Sequence, residues 1–182
     1  MTGMTTHLGP GYIQIYTGGG KGKTTASLGL ALRAVGNGLR VLVLQFLKGR
    51  KGMTGERKAV LRLAPDIEIR PRGGEGFVGP GEPSEEDRFQ ALAALDEAFD
   101  EVNSGKWDVI ILDEINVAVH LCLIPLGDVL ALLDSKPDGL ELILTGRMAP
   151  PGLVDRADLV TEMREVKHYF NAGVSARKGI EE

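Results

Sequence analysis

Cysteine is almost absent from this sequence, which has one, Cys122, among 182 residues. A single thiol excludes an internal disulfide, and it also excludes a zinc site built from cysteine ligands. Cys122 lies in an apolar stretch that includes Leu121, Leu123 and Ile124. Because unpaired cysteines behave as small apolar residues, we predict that Cys122 is a buried structural thiol.

Excess positive charge and long apolar runs are absent as well. The 25 Asp and Glu residues outnumber the 21 Lys and Arg residues, so the formal net charge is −4, whereas nucleic-acid-binding domains are usually basic. No apolar run approaches the ~20 residues that a membrane span requires. Residues 1–11 lack the basic and apolar regions of a secretory signal. We therefore expect a cytoplasmic protein without a nucleic-acid or membrane partner, although loop 48–51 is locally basic.

Apolar stretches alternate with helical patterns along the chain. The predicted strands are 12–17, 40–46, 67–71, 108–114, 140–146 and 159–166, the last of them at a sheet edge. The predicted helices are 22–37, 55–64, one from Ser84 to Gly105, 125–133 and 150–157. This alternation predicts one α/β domain over residues 1–182 with a mostly parallel central sheet. Residues 1–11 are expected to be flexible, and residues 167–182 mostly irregular.

Helical spacing also predicts which side chains face the core. In the first helix these are Leu28, Ala31, Leu32 and Val35. In the long helix they are Phe89, Leu92, Phe99 and Val102.

Glycine, by contrast, is abundant, and four of the 25 glycines lie in the stretch TGGGKGKT at 17–24. The stretch follows a predicted strand, opens a helix, and matches the phosphate-binding pattern G-x-x-x-x-G-K-[ST], except that Thr17 replaces the first glycine. Glycines let backbone amides approach phosphate, and the helix N-terminus favours an anion. The predicted phosphate-binding residues are Gly18, Gly19, Gly20, Lys21, Gly22, Lys23, Thr24 and Thr25.

Two carboxylates, Asp113 and Glu114, follow the apolar strand VIILDE. In a phosphate-binding loop protein, an acidic residue at this point binds Mg²⁺ together with the loop hydroxyl, here that of Thr24. Spacing does not decide which carboxylate binds directly. Stretches 17–24, 113–116 and 145–147 all follow strand ends, which predicts one shared site and a three-layer, RecA-like P-loop fold. Because no guanine-reading NKxD motif is present, ATP is the preferred nucleotide.

Several segments beyond the loop occur in one characteristic order: QFLKG (45–49), GER (55–57), LDEI (112–115), LTGR (144–147) and VKHYFNAGVSARKGIE (167–181). Together with 17–38, they resemble the P-loop ATP:corrinoid adenosyltransferases, the cob(I)alamin adenosyltransferase family. The resemblance implies that Co(I) of cobalamin or a related corrinoid attacks the 5′ carbon of ATP. A carbon–cobalt bond forms and the whole triphosphate leaves.

The resemblance also assigns roles to residues. Lys23, Thr24 and Glu114 would stabilise the departing triphosphate, with Thr24, Asp113 and Glu114 around Mg²⁺ or, alternatively, Mn²⁺. Arg33 is a weaker candidate for ATP binding, with a surface salt bridge as the alternative. The candidate corrinoid-binding residues are Phe77, Arg147 and His168, although a loop anchor for Phe77 and a structural imidazole for His168 stay open.

The sequence departs from the family pattern at four points. The family's aromatic pair F-x-W displaces the lower cobalt ligand, but here Gly79 stands where the tryptophan would follow Phe77. Gly19 replaces a common asparagine, Asn171 replaces a common aspartate, and the N-terminal segment is short.

The family also implies partners: an electron donor such as a reduced flavoprotein, and a second copy in a homodimer. Two other function classes stay open at this point. One is a different small P-loop ATPase or kinase that releases ADP, and the other is a non-catalytic nucleotide or corrinoid carrier.

Overall fold

The structure is a computed structural model that describes residues 9–49, 52–74 and 83–181. Six strands form one sheet in the order β3-β2-β4-β5-β1-β6, and every neighbouring pair is parallel. The strands are β1 Ile13–Thr17, β2 Val41–Gln45, β3 Ile67–Pro71, β4 Val109–Asp113, β5 Glu141–Thr145 and β6 Leu159–Glu162. The predicted parallel sheet is thus confirmed, with the sixth strand at an edge. The predicted flexible start, 1–11, lies largely outside the described residues.

The connections between the strands carry the helices. These are α1 Lys23–Gly36, α2 Gly55–Val60, α3 Glu85–Val102, α4 Ile115–His120, α5 Leu126–Ser135 and α6 Pro151–Val154, followed by a short 3₁₀ helix, Tyr169–Ala172. Helix α4 was not predicted, because its sequence INVAVH is rich in β-branched residues that favour strands. No helix within the described ranges is long and apolar enough to cross a membrane.

Both faces of the sheet are covered, so the domain has three layers. Helices α3, α4, α5 and α6 pack on one face, against side chains such as Leu44 and Leu112. Helix α1 packs on the other face, against Val43 and Ile111. All five residues of β2, β4 and β5 are buried. This burial explains their continuous apolar sequences, which are typical of parallel strands between two helical layers.

The predicted buried faces of two helices were partly wrong. On α1, Leu32 is 59% exposed, and the buried residues are Lys23, Ser27, Ala31 and Ala34. On α3, Phe89 is 65% exposed, and the buried residues are Ala91, Ala94, Leu95, Ala98 and Val102. In both helices most of the buried side chains are small, since small side chains allow the helix to approach the sheet closely. Large apolar side chains at the same spacing lie to the side.

The prediction for Cys122 was wrong as well, because its side chain is exposed. Cys122 follows α4 and adopts a left-handed backbone conformation with φ of 55°. The next two residues, Leu123 and Ile124, are fully packed in the core. The turn therefore directs the thiol outwards, and this reversal of direction is not visible in the apolar composition of the segment.

Candidate functional site

The carboxyl ends of the parallel strands meet at one edge of the sheet, and a cavity of about 560 Å³ lies there. The loop from β1 to α1 lines this cavity with residues 19–25. Strand register brings polar strand ends together, since Gln45 pairs with Asp113 and Tyr16 pairs with Thr145. The residues that lie around this edge therefore come from four different strands.

Hydrogen bonds to the loop backbone hold Lys23 in place at the cavity. Lys23 is buried, and its Nζ donates to the carbonyl oxygens of Gly18 at 2.7 Å and Gly20 at 2.8 Å. Burial lowers the pKa of Lys23, nearby Glu114 opposes this change, and Arg147 adds to it. An ammonium group placed on the loop's own carbonyls can turn towards an arriving anion with little rearrangement.

The glycines of the loop allow close contact with the segment after β6. The N–H of Gly20 donates to the carbonyl oxygen of Met163 at 2.6 Å. A Cβ atom on Gly18 would lie 2.5 Å from that oxygen, and one on Gly20 would lie 2.7 Å from it. Gly19 differs, because a Cβ there would meet nothing within 4 Å. Backbone contact thus requires glycine at two of the three positions.

We therefore expect Gly20→Ala to be destabilising and Gly19→Ala to be nearly neutral for folding. The Gly20 variant must move either the loop or the Met163 backbone, at a cost of about 1–3 kcal/mol. Urea denaturation of the two variants beside the wild-type protein measures the difference. Equal unfolding free energies for Gly19→Ala and Gly20→Ala would show that the contact with Met163 is not required.

Thr17, which replaces the first glycine of the pattern, has a structural partner. Its Oγ1 accepts a hydrogen bond from the N–H of Ala149 at 3.1 Å. Ala149 follows β5, so the hydroxyl ties the beginning of the loop to the neighbouring strand connection. A glycine could not make this bond.

Asp113 has a donor for each of its acceptor positions. It is fully buried. Oδ1 accepts from the hydroxyls of Thr24 at 2.9 Å and Thr145 at 2.7 Å. Oδ2 accepts from Lys48 Nζ at 2.7 Å and Gln45 Nε2 at 3.3 Å. An ionised carboxylate offers about four lone-pair positions, so this set satisfies the group.

Glu114 has a different environment, although it is the next residue. It adopts a left-handed conformation with φ of 67°, and its N–H donates to Thr145 Oγ1 at 3.1 Å. Its side chain lines the cavity beside the loop. Burial and the neighbouring Asp113 raise the pKa of Glu114, while Lys48, Lys23 and Arg147 oppose the rise. The backbone turn therefore separates a satisfied carboxylate from one that faces the cavity.

The oxygen atoms at this edge of the sheet are suitable ligands for a small hard cation. Thr24 Oγ1 keeps acceptor capacity while it donates to Asp113, and the carboxylate of Glu114 faces the same cavity. Within the described ranges, no group of three or more His, Cys, Asp and Glu side chains could hold a metal ion alone. Mg²⁺ suits such a site, because it retains waters and takes further oxygens from substrate phosphates.

The tail of the chain closes one side of the cavity. Lys21 Nζ donates to the carbonyl oxygen of Ile180 at 3.1 Å and lies 3.7 Å from the Glu181 carboxylate. Tyr169 and Arg177 also bond to Glu181. Since Gly179, Ile180 and Glu181 line the cavity, the 3₁₀ helix and the following turn bring the end of the chain against the loop.

Residues 10–181 match the sequence family described as ATP:corrinoid adenosyltransferase BtuR/CobO/CobP. The chain belongs to this family. The resemblance predicted from the motifs is confirmed, and the match includes both the loop and the tail.

Relatives with curated names agree with this family. The corrinoid adenosyltransferase of Pseudomonas aeruginosa is 36% identical over 171 residues, which are 94% of this chain and 83% of that protein. The corrinoid adenosyltransferase CobA of Salmonella typhimurium is also 36% identical over 171 residues, covering 94% of this chain and 85% of that protein.

Solved structures support the fold. A KaiC-like protein from Pyrococcus horikoshii aligns with a TM-score of 0.57 at 18% identity, over 87% of this chain and 75% of that one. The RadB recombinase aligns with a TM-score of 0.53 at 13% identity, over 88% and 78%. These similarities confirm the three-layer, RecA-like P-loop fold of this member of the adenosyltransferase family.

The structure brings most of the predicted site residues that it describes together at this cavity. Lys23, Thr24, Glu114, Arg147 and His168 all line the cavity. Arg33 does not, since it lines a separate cavity of about 500 Å³ with Tyr12, Gln14 and Glu141. Helix α1 leads away from the loop, and ten residues along a helix span about 15 Å. Phe77 lies outside the described residues.

His168 has a local structural role as well. Its Nδ1 accepts from the N–H of Phe170 at 3.1 Å and caps the 3₁₀ helix. Its ring also lines the cavity. The structural-imidazole alternative and a contact with ligand are therefore compatible.

Sequence reasoning missed three polar residues of the adenosyltransferase site: Gln45, Lys48 and Thr145. All three lie at or just after the ends of β2 and β5. Gln45 and Thr145 are buried polar residues in otherwise apolar strands, and such residues need partners in the interior. A polar residue at the end of an apolar strand is the pattern that could have identified Gln45 and Thr145.

Proposed function

We propose that this protein transfers the 5′-deoxyadenosyl group of ATP to the Co(I) centre of cobalamin or a related corrinoid and releases tripolyphosphate. The family match over residues 10–181 carries the proposal. The phosphate-binding loop and its cavity supply a fitting site for the triphosphate of ATP. The reaction requires that triphosphate to depart intact.

In the proposed reaction, the Co(I) electron pair forms a bond to the 5′ carbon while the carbon–oxygen bond to the α-phosphate breaks. The oxygen and its electron pair leave with tripolyphosphate. The loop amides bind the phosphates, and Lys23 turns from the carbonyl oxygens of Gly18 and Gly20 to the leaving group. Donors that are placed before the reaction stabilise developing charge without reorganisation.

We propose that Thr24 and Glu114 hold Mg²⁺, or alternatively Mn²⁺, and that Asp113 assists without direct contact. Asp113 already accepts from four donors, whereas Glu114 faces the cavity. The cation would neutralise negative charge on the departing triphosphate. Thr24 would keep its hydrogen bond to Asp113 and use its free lone pairs for the cation.

Arg147 and His168 are proposed contacts for the corrinoid or for the nucleotide next to it, because both line the cavity beyond the loop. Arg33 is left out of this mechanism, since it lies at the other cavity.

Product analysis tests the proposed reaction. The protein is mixed with ATP, Mg²⁺ and chemically reduced cob(I)alamin without oxygen, and the products are identified by chromatography. Light-sensitive adenosylcobalamin and tripolyphosphate in equal amounts support adenosyl transfer. ADP without a carbon–cobalt bond would instead indicate an ATPase or kinase, and binding without turnover would indicate a carrier.

Phe77→Ala should impair reaction with cobalamin more than reaction with a corrinoid that has no lower ligand. If Phe77 displaces the lower ligand, its loss should lower the rate with cobalamin about tenfold, the upper range for one aromatic contact. Rates with the two corrinoids measure the difference. An equal loss with both substrates contradicts the role of Phe77 at the lower ligand.

The remaining proposals concern partners and compartment. We propose a homodimer, a reduced flavoprotein as electron donor, and a location in the cytoplasm, where reducing conditions preserve an exposed thiol such as Cys122. Sedimentation equilibrium tests the dimer. Replacing the chemical reductant with a reduced flavoprotein in the product assay tests the donor.

A further inference from the structure

Lys48 lies at the triphosphate cavity, although the motifs of the loop do not include it. It follows β2 after Leu47, which adopts a left-handed conformation with φ of 59°. This turn places Lys48 Nζ 2.7 Å from Oδ2 of the fully buried Asp113. The side chain is 35% exposed, and it lines the same cavity as Lys23 and Glu114.

We propose that Lys48 releases its hydrogen bond to Asp113 and binds the triphosphate when ATP binds, and that it then stabilises the departing tripolyphosphate. This inference rests on the proposed function and adds a residue to it. Lys48 would act from the β2 side of the cavity, whereas Lys23 acts from the loop. The leaving group would therefore be held between two cations from different strand connections.

The hydrogen bonds of Asp113 allow this exchange. Without Lys48, the carboxylate still accepts from Thr24, Thr145 and Gln45. Release of the ammonium group therefore leaves Asp113 with three of its four donors. A lysine ammonium has three donors, so Lys48 can also reach a phosphate oxygen before its bond to Asp113 breaks.

The charges around the cavity favour the exchange. In the described part of the chain, Lys21 is already paired with Glu181, and Lys23 bonds to two loop carbonyls. Glu56, Glu114, Glu165 and Glu181 also line the cavity. A polyanion that enters among four carboxylates needs additional positive charge, and Lys48 is a partly exposed cation at that wall, as a complement to Arg147.

Binding of tripolyphosphate tests the inference without any turnover. Isothermal titration calorimetry with Mg²⁺ and tripolyphosphate is performed on the wild-type protein, Lys48→Gln and Lys48→Arg. We expect Lys48→Gln to weaken binding about 10- to 100-fold, the range for a lost charge-assisted hydrogen bond. Lys48→Arg should retain most of the affinity, because it keeps the charge. Lys106→Gln, at an exposed position after α3, is the matched control and should bind like the wild type.

A purely structural role would give a different pattern. If Lys48 only supports Asp113, Lys48→Gln should lower the melting temperature and leave tripolyphosphate affinity unchanged, which would overturn the inference. Adenosine is a second probe, and its affinity should not change in Lys48→Gln. Failure of the wild-type protein to bind tripolyphosphate would also overturn the inference.

A crystal structure of the wild-type protein with Mg²⁺ and tripolyphosphate provides the answer even if Lys48→Gln does not fold. Lys48 Nζ within hydrogen-bond distance of a phosphate oxygen supports the inference, and Nζ on Asp113 alone overturns it. None of these measurements uses a corrinoid. A protein that shows the Lys48 effect but no adenosyl transfer would refute the proposed function and retain only the binding of triphosphate by Lys48.

Discussion

Replacing Lys23 with alanine should lower kcat for adenosyl transfer by about 10²- to 10³-fold, the usual effect of removing one preorganised donor to developing negative charge. Lys23 is buried at the loop, and its Nζ lies 2.7 Å and 2.8 Å from two loop carbonyls. We expect a smaller change in KM, because backbone amides of the loop still bind the phosphates.

Lys21→Ala is the matched control for this loss. Lys21 is two residues away, and its side chain is 42% exposed in a pair with Glu181. Because Lys21 Nζ is held by the tail and not by the loop carbonyls, we expect the rate to fall by less than about tenfold, which corresponds to about 1.4 kcal/mol. Steady-state kinetics of adenosylcobalamin formation compare the variants, and circular dichroism checks that both are folded. Turnover near the wild-type rate in Lys23→Ala would refute the leaving-group role.

Asp113→Ala should have the largest effect on stability. Removing one member of a buried charge pair typically destabilises a protein by about 3–5 kcal/mol, and because the Lys48 side chain is 35% exposed and can be hydrated, we expect a value near the lower end. Here Lys48, Thr24, Thr145 and Gln45 would all lose an acceptor. Urea denaturation measures the change in the free energy of unfolding.

Asp96→Ala provides the comparison, because Asp96 is exposed on α3. A substitution of this kind is expected to change stability by no more than about 0.5 kcal/mol. Asp113→Asn should lie between the two, since its amide oxygen can still accept from some of the donors. If Asp113→Ala unfolds with nearly the wild-type free energy, the four hydrogen bonds do not hold the strand ends together.

Much of the fold could be predicted because its signals are local. Parallel strands buried on both faces require continuous apolar residues, as in β2 and β4. In the helices between them, apolar residues recur every three or four positions instead. The loop at 17–24 could be predicted for the same reason, since its glycines, lysine and threonine act together within one turn. Asp113 and Glu114 were found because they follow a strand directly.

The predictions of side-chain burial were wrong where the direction of a side chain depends on the tertiary structure around it. Leu32 and Phe89 have helical spacing, but the sheet accepts the smaller Ala31 and Ala91 on the adjacent face. Cys122 is exposed because a left-handed turn reverses its direction. Arg33 is near Lys23 in sequence, yet α1 places it at another cavity, so its role in ATP binding stays a prediction.

The sequence by itself therefore determined the alternation of strands and helices, the phosphate-binding loop and the resemblance to the family. Only the tertiary structure decided how the neighbouring carboxylates differ. Asp113 is satisfied by donors from or next to three other strands, while Glu114 turns into the cavity. The tertiary structure also brought Lys48 to Asp113 and the tail to the loop. The physical reason is that periodicity and motif spacing describe neighbours along the chain, whereas these contacts join residues as many as 159 positions apart.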